Sequence, residues 1–141
     1  MTLLNTTLPE KLQRAEKEIS RTYGAFTLFG LFEHGETPGF WDIVVAAPWL
    51  KADLTTIGQI VDLIRPFVHP NDWLSVARVL VLRPTDEFVQ QISRLYHEKH
   101  GMKELGYNMF GGVAINHAYL ITSNAHPIPS ERQLTEAGAS V

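Results

Sequence analysis

The chain has no cysteine, which excludes disulfides, thiolate zinc sites and cysteine nucleophiles. It also lacks an excess of positive charge. Twelve lysines and arginines stand against 15 aspartates and glutamates, a formal net charge of −3. Gripping nucleic acid requires a basic surface that neutralises phosphates, so nucleic acid is not an expected partner. No apolar run approaches the roughly 20 residues of a membrane-spanning helix. Met1–Thr7 holds neither a basic residue nor the apolar stretch of a signal peptide. A membrane partner is therefore not expected, and the cytoplasm is the expected location. Internal repeats and low-complexity tracts are absent too.

What is present suits one globular domain. The 141 residues are 45% hydrophobic and 19% charged, enough to bury a core without covalent staples. Thr7 and Glu10 have the spacing of a capping box, with Pro9 tolerated in the first turn. Leu8, Leu12, Ala15, Ile19 and Tyr23 then form an apolar stripe, and Gly24 sits where a left-handed cap would end the helix. Two runs follow, Ala25–Glu33 and Phe40–Ala47, rich in aromatic and β-branched residues and without strict alternation. That pattern predicts strands covered on both faces. Residues 34–39 between them have hairpin-loop chemistry, and Pro48 ends the second strand.

Asp53 predicts an N-cap for a second helix, with Leu54, Ile57, Ile60, Val61 and Ile64 on one face and Pro66 as its stop. Pro70–Trp73 predicts a short helix or turn, and Val76–Leu82 a central strand bounded by Arg83 and Pro84. Thr85 then predicts the cap of a third long helix, carrying Phe88, Ile92, Leu95 and Tyr96 inward. His97, Lys99 and His100 would suit its negative C-terminal end, with Gly101 closing it. From Leu105 to Thr122 one or two further strands are expected, turning at Gly111-Gly112 or at Asn116-His117. The resulting fold class is α+β: a mixed sheet of four to five strands with about three helices, in the order α-β-β-α-β-α-β(-β). Residues 1–123 form the expected single domain, and 124–141 a C-terminal tail or interaction arm.

Candidate chemistry is sparse. His97 and His100, three apart on a helix, lie on one face and are the candidate metal ligands, against the plainer reading of favourable charge at a helix end. The spacing is not that of the zinc-protease motif. Asp42 stands inside an apolar strand, where an unpaired carboxylate costs several kcal/mol. It must be exposed, paired or functional, and Arg78, Arg83 and Lys51 are the available partners. Asp42 and His117 are the candidate catalytic residues, though no Glu-x-Lys in the expected strand supports a nuclease core. Ser75, His117 and Asp42 form no credible triad, since no Gly-x-Ser-x-Gly elbow accompanies them. Gly111-Gly112 lacks the spacing of dinucleotide or P-loop sites, so no cofactor is expected. Most aromatics should be core, while Trp49, after Pro48, is a candidate for a pocket or interface.

The run Phe26-x-Leu28-Phe29-Gly30-Leu31-Phe32, followed by Trp41-Asp42-x-Val44-Val45-x-x-Pro48-Trp49-Leu50, resembles small uncharacterised bacterial proteins. Pro84-x-Asp86 before Phe88-Val89, and the ending Tyr119-Leu120-Ile121-Thr122, extend the likeness over Phe26 to Ser123. The resemblance implies one compact bacterial domain and carries over no catalytic residue. The expectation is therefore a non-catalytic binding or assembly module, a homodimer or a partner to another protein. The rival is a small metal-dependent hydrolase or nuclease-like enzyme using Asp42 with His97, His100 and His117. A third reading is nucleic-acid binding through Arg94, His97, Lys99, His100 and Lys103, which demands strongly salt-dependent affinity.

Overall fold

The computed structural model describes residues 7–33 and 38–124. The segment 125–141, expected as a tail or arm, and most of the expected hairpin loop lie outside the described residues. Helix α1 (Leu8–Tyr23) begins with the capping box: Thr7 N–H donates to Glu10 Oε1, and Glu10 N–H to Thr7 Oγ1. It ends at Gly24, whose φ of 126° is open to glycine alone at no steric cost. Strands β1 (Leu28–Glu33) and β2 (Trp41–Ala46) pair antiparallel, from Leu28 opposite Ala46 to Glu33 opposite Trp41. Helix α2 (Leu54–Ile64) is capped by Asp53, which accepts the Thr56 N–H. Short 3-10 turns over Arg65–Phe67 and Pro70–Ser75 then lead into β3 (Val76–Leu82). Of the face expected for α2, Leu54 instead points to solvent, at 84% exposure.

Helix α3 (Glu87–Leu95) is followed by four strands: β4 (Lys103–Leu105), β5 (Asn108–Phe110), β6 (Val113–Ile115) and β7 (Ala118–Ser123). Five strands form one mixed sheet in the order β3-β2-β1-β7-β4, while β5 and β6 make a separate hairpin. Only β2 and β3 run parallel. This is the α+β class expected, with more strands than the sequence suggested. Both candidate turns are used: Gly111-Gly112 joins β5 to β6, and Asn116-His117 joins β6 to β7.

The sheet is covered on both faces, which is why its strands do not alternate. Phe29, Leu31, Ile43, Val45 and Val81 meet Leu12, Ile19, Ile60 and Ile64 of α1 and α2 on one side. On the other, Leu28, Phe32, Val44 and Leu120 meet Phe88, Ile92, Phe110 and Ile115 from α3 and the small hairpin. β1 is therefore the central strand.

Two expectations are corrected. β3 has the expected bounds but lies at the sheet's edge, because β1 takes β7 rather than β3 as its second neighbour. Helix α3 is capped by Asp86 instead of Thr85 and stops at Leu95. The next residues are captured by the sheet: Glu98 N–H donates to Ser123 O, and Ser123 N–H returns the bond to Glu98 O. The two rims of the sheet differ in kind. β4 spans three residues and carries Lys103 and Glu104, whereas β3 spans seven and reads Val-Ala-Arg-Val-Leu-Val-Leu. Among the described residues no helix is long and apolar enough to cross a membrane.

Candidate functional site

Asp42 sits within β2 and is buried. The parallel register sets it opposite Arg78 of β3, whose Nε and Nη2 reach its two carboxylate oxygens at 3.2 and 3.0 Å. This bidentate pair satisfies the buried charge. Of the three available cations Arg78 is the partner. The hydrogen bond it donates to Asp42, with the carboxylate's charge, lifts the guanidinium pKa above its ordinary value against the opposing effect of burial.

His117 lies elsewhere. Its ring packs near those of Trp41 and Tyr119, at centroid distances of 5.5 and 4.9 Å, and its Nε2 is 2.6 Å from Glu104 Oε2. Trp41 and Tyr119 pack on the side of the sheet covered by α1 and α2. Strand alternation turns Asp42, next to Trp41, toward the α3 side. The two candidate catalytic residues are thus on opposite faces and are not brought together. Burial, then the carboxylates of Glu104 and Glu33, push the Tyr119 phenol above its ordinary range.

His97 and His100 do not share a helical face, since both follow the end of α3. His100 adopts φ 51°, a left-handed conformation uncommon for a residue with a side chain. It is held there by three contacts, closed into a circuit by a fourth between two of its partners. Its Nδ1 lies 2.6 Å from Glu16 Oε1, and its N–H donates to Thr122 Oγ1 at 3.1 Å. Thr122 Oγ1 in turn donates to Glu16 Oε2 at 2.8 Å, and Gln13 Nε2 donates to His100 O. Glu16, on α1, has 0% exposure. Its carboxylate is satisfied at both oxygens by side chains from two other segments, so the circuit locks α1, the α3–β4 connection and β7 together.

This circuit forms one wall of a cavity of about 710 Å³ between the same three segments. Lys17 and Arg21 of α1, with Lys99 and His97 of the connection, border it, and Ala25 and Phe26 supply an apolar wall. One imidazole nitrogen of His100 is spent on Glu16, while Nε2 has no partner among the described residues. The second carboxylate at the cavity, Glu98, accepts the Met102 N–H at 3.2 Å. Among the described residues no three His, Asp or Glu side chains are grouped so as to hold a metal ion.

Glu16 is the residue that sequence reasoning missed. A signal was present: it stands four after Leu12 and three before Ile19, on the apolar stripe itself. Trp49 braces the end of α1, its ring 5.5 Å from Tyr23 and its Nε1–H donating to Ala25 O. It also borders a second cavity of about 810 Å³ beside Lys51 and Asp53. Compared with protein-family models, with curated proteins and with solved structures, the chain finds no match in any of the three.

Proposed function

We propose that the chain is a non-catalytic assembly module that works as a homodimer, two copies joining their sheets edge to edge through β3. The observation that carries this reading is the contrast between the sheet's two rims. β4 is short and charged, the ordinary protection of an edge. β3 is long and ends in the uninterrupted run Val79-Leu80-Val81-Leu82. No strand flanks its outer side among the described residues. Its single charge, Arg78, is already occupied by Asp42 within its own sheet. An apolar edge without a free charge is a template for another strand.

The edge is also complementary to itself. A shift in register at Trp41/Asp42 leaves Arg78–Leu82 as the regular part of β3. A two-fold axis near Leu80 sets Arg78 opposite Leu82 and Val79 opposite Val81, so no like charges meet. Each side chain keeps to its own face of the continuous sheet. The placement of Asp42 and His117 on opposite faces supports the non-catalytic half of the reading.

Light scattering on the size-exclusion peak of the full chain tests it. The expected mass is twice the 15.9 kDa of one chain. Ala77→Lys, at an exposed position, and Leu80→Lys each place a charge on the edge and should yield monomers with an unchanged far-UV spectrum. A wild-type chain that stays monomeric at its highest soluble concentration overturns the proposal. So does a dimer that Ala77→Lys and Leu80→Lys, each still folded, both leave intact.

A further inference from the structure

The cavity beside Glu16 has a chemistry of its own, independent of β3. We infer that it is a binding site for a small organic anion, one carrying a carboxylate or a sulfate- or phosphate-type head on a compact apolar body. Three features of the walls lead there.

The first is charge. Lys17, Arg21 and Lys99 border the cavity with permanent positive charge. The two carboxylates present, Glu16 and Glu98, both take hydrogen bonds from the protein's own donors. Arg21 also pairs with Glu18 on the helix surface, which leaves Lys17 and Lys99 as the cations most open to a ligand. Two lysines without a carboxylate partner among the described residues thus border one cavity of an acidic chain.

The second feature is His100. Glu16, wholly buried, accepts at Nδ1 and so orients the ring, leaving Nε2 as the nitrogen available to a ligand. A histidine oriented in this way, against a backbone held at φ 51°, is a preset polar group rather than a mobile surface side chain.

The third is size and polarity. A volume of about 710 Å³ exceeds what a bare ion needs and lies within the range of small-molecule sites. Ala25 and Phe26 offer an apolar wall opposite the charged one. An inorganic ion would leave that wall wet, whereas an anion with a ring or short chain covers it.

Benzoate and phenyl sulfate each carry one negative charge at pH 6 and differ only in the head group, while benzyl alcohol is their neutral counterpart. Titrated into the full-length ¹⁵N-labelled chain, the two anions are expected to move the amides of residues 16–21 and 97–100. They should bind at least tenfold tighter than benzyl alcohol at pH 6. Benzoate tighter than phenyl sulfate assigns a carboxylate head, and the reverse a tetrahedral one. Lys17→Glu with Lys99→Glu, both at exposed positions, should weaken anion binding at least tenfold without changing the melting temperature. Equal binding of the alcohol and the anions overturns the inference, as does affinity indifferent to the two charge reversals. A titration that leaves those amides unmoved also overturns it.

Discussion

Glu16 shows how one side chain can hold three segments. Its two oxygens meet His100 and Thr122, and removing the carboxylate strands the buried Thr122 hydroxyl and frees the His100 ring from its anchor. Glu16→Ala should cost about 3 kcal/mol, the scale of breaking a buried pair, read from urea unfolding. Glu16→Gln keeps the volume and one acceptor, and should cost less. Asp42 and Arg78 form a second pair, but the arginine side chain is 52% exposed. Water there screens the charge, so Arg78→Ala should cost about 1–2 kcal/mol rather than the full penalty of a dry pair. Asp53 gives a pH handle. Hydrogen bonds from Thr56, first from its backbone and then its side chain, hold the Asp53 carboxyl below its ordinary range despite slight desolvation. A folded-state pKa lowered in this way stabilises the protein above the unfolded value near about 4. The contribution is lost as pH falls through the folded value. The difference in urea midpoint between wild type and Asp53→Ala should therefore be constant at neutral pH and shrink below about pH 4.

At the scale of elements, two glycines make opposite predictions. Gly58 lies inside α2 with open space where a Cβ would go, so Gly58→Ala should stabilise by about 0.5–1 kcal/mol and raise the melting temperature. Gly111 has φ 55° at the β5–β6 turn, and a Cβ there would stand 3.0 Å from the Phe88 backbone nitrogen. Gly111→Ala should cost at least about 1–2 kcal/mol and loosen the hairpin from α3. Elements with punctuation in their own residues were legible in the sequence: Thr7 with Glu10 for α1, Asp53 with Pro66 for α2, and the two ends of β3. What was not legible depends on distant partners. His97 to His100 carry charge that suits a helix end, yet Glu98 leaves the helix to bond Ser123, 25 residues along. The same capture creates the cavity wall, so the candidate site was hidden together with the end of α3. The edge position of β3 was equally silent, because a strand's own residues do not report how many neighbours it has. Asp42 was the exception. Its need for a partner could be read from its setting, and the register chose Arg78 from the three cations at hand.

For the molecule as a whole, the layering ranks the strands by stability. β1 has a strand on each side and a packed layer on each face, so its amides should exchange with solvent most slowly, at the rate of global unfolding. β4 and the β5–β6 hairpin, short and at the margin, should exchange fastest, and amide exchange by mass spectrometry or NMR reads this order directly. The circuit around Glu16 adds a constraint in time. Its carboxylate is made early in synthesis, but its partners follow 84 and 106 residues later. Until they emerge from the ribosome, seating the inner face of α1 would leave a bare charge in oil. The nascent chain must therefore keep its first helix wet, and β1 half-paired, until residue 123 is in the open. Folding of this chain is an event that waits for its last strand to be made.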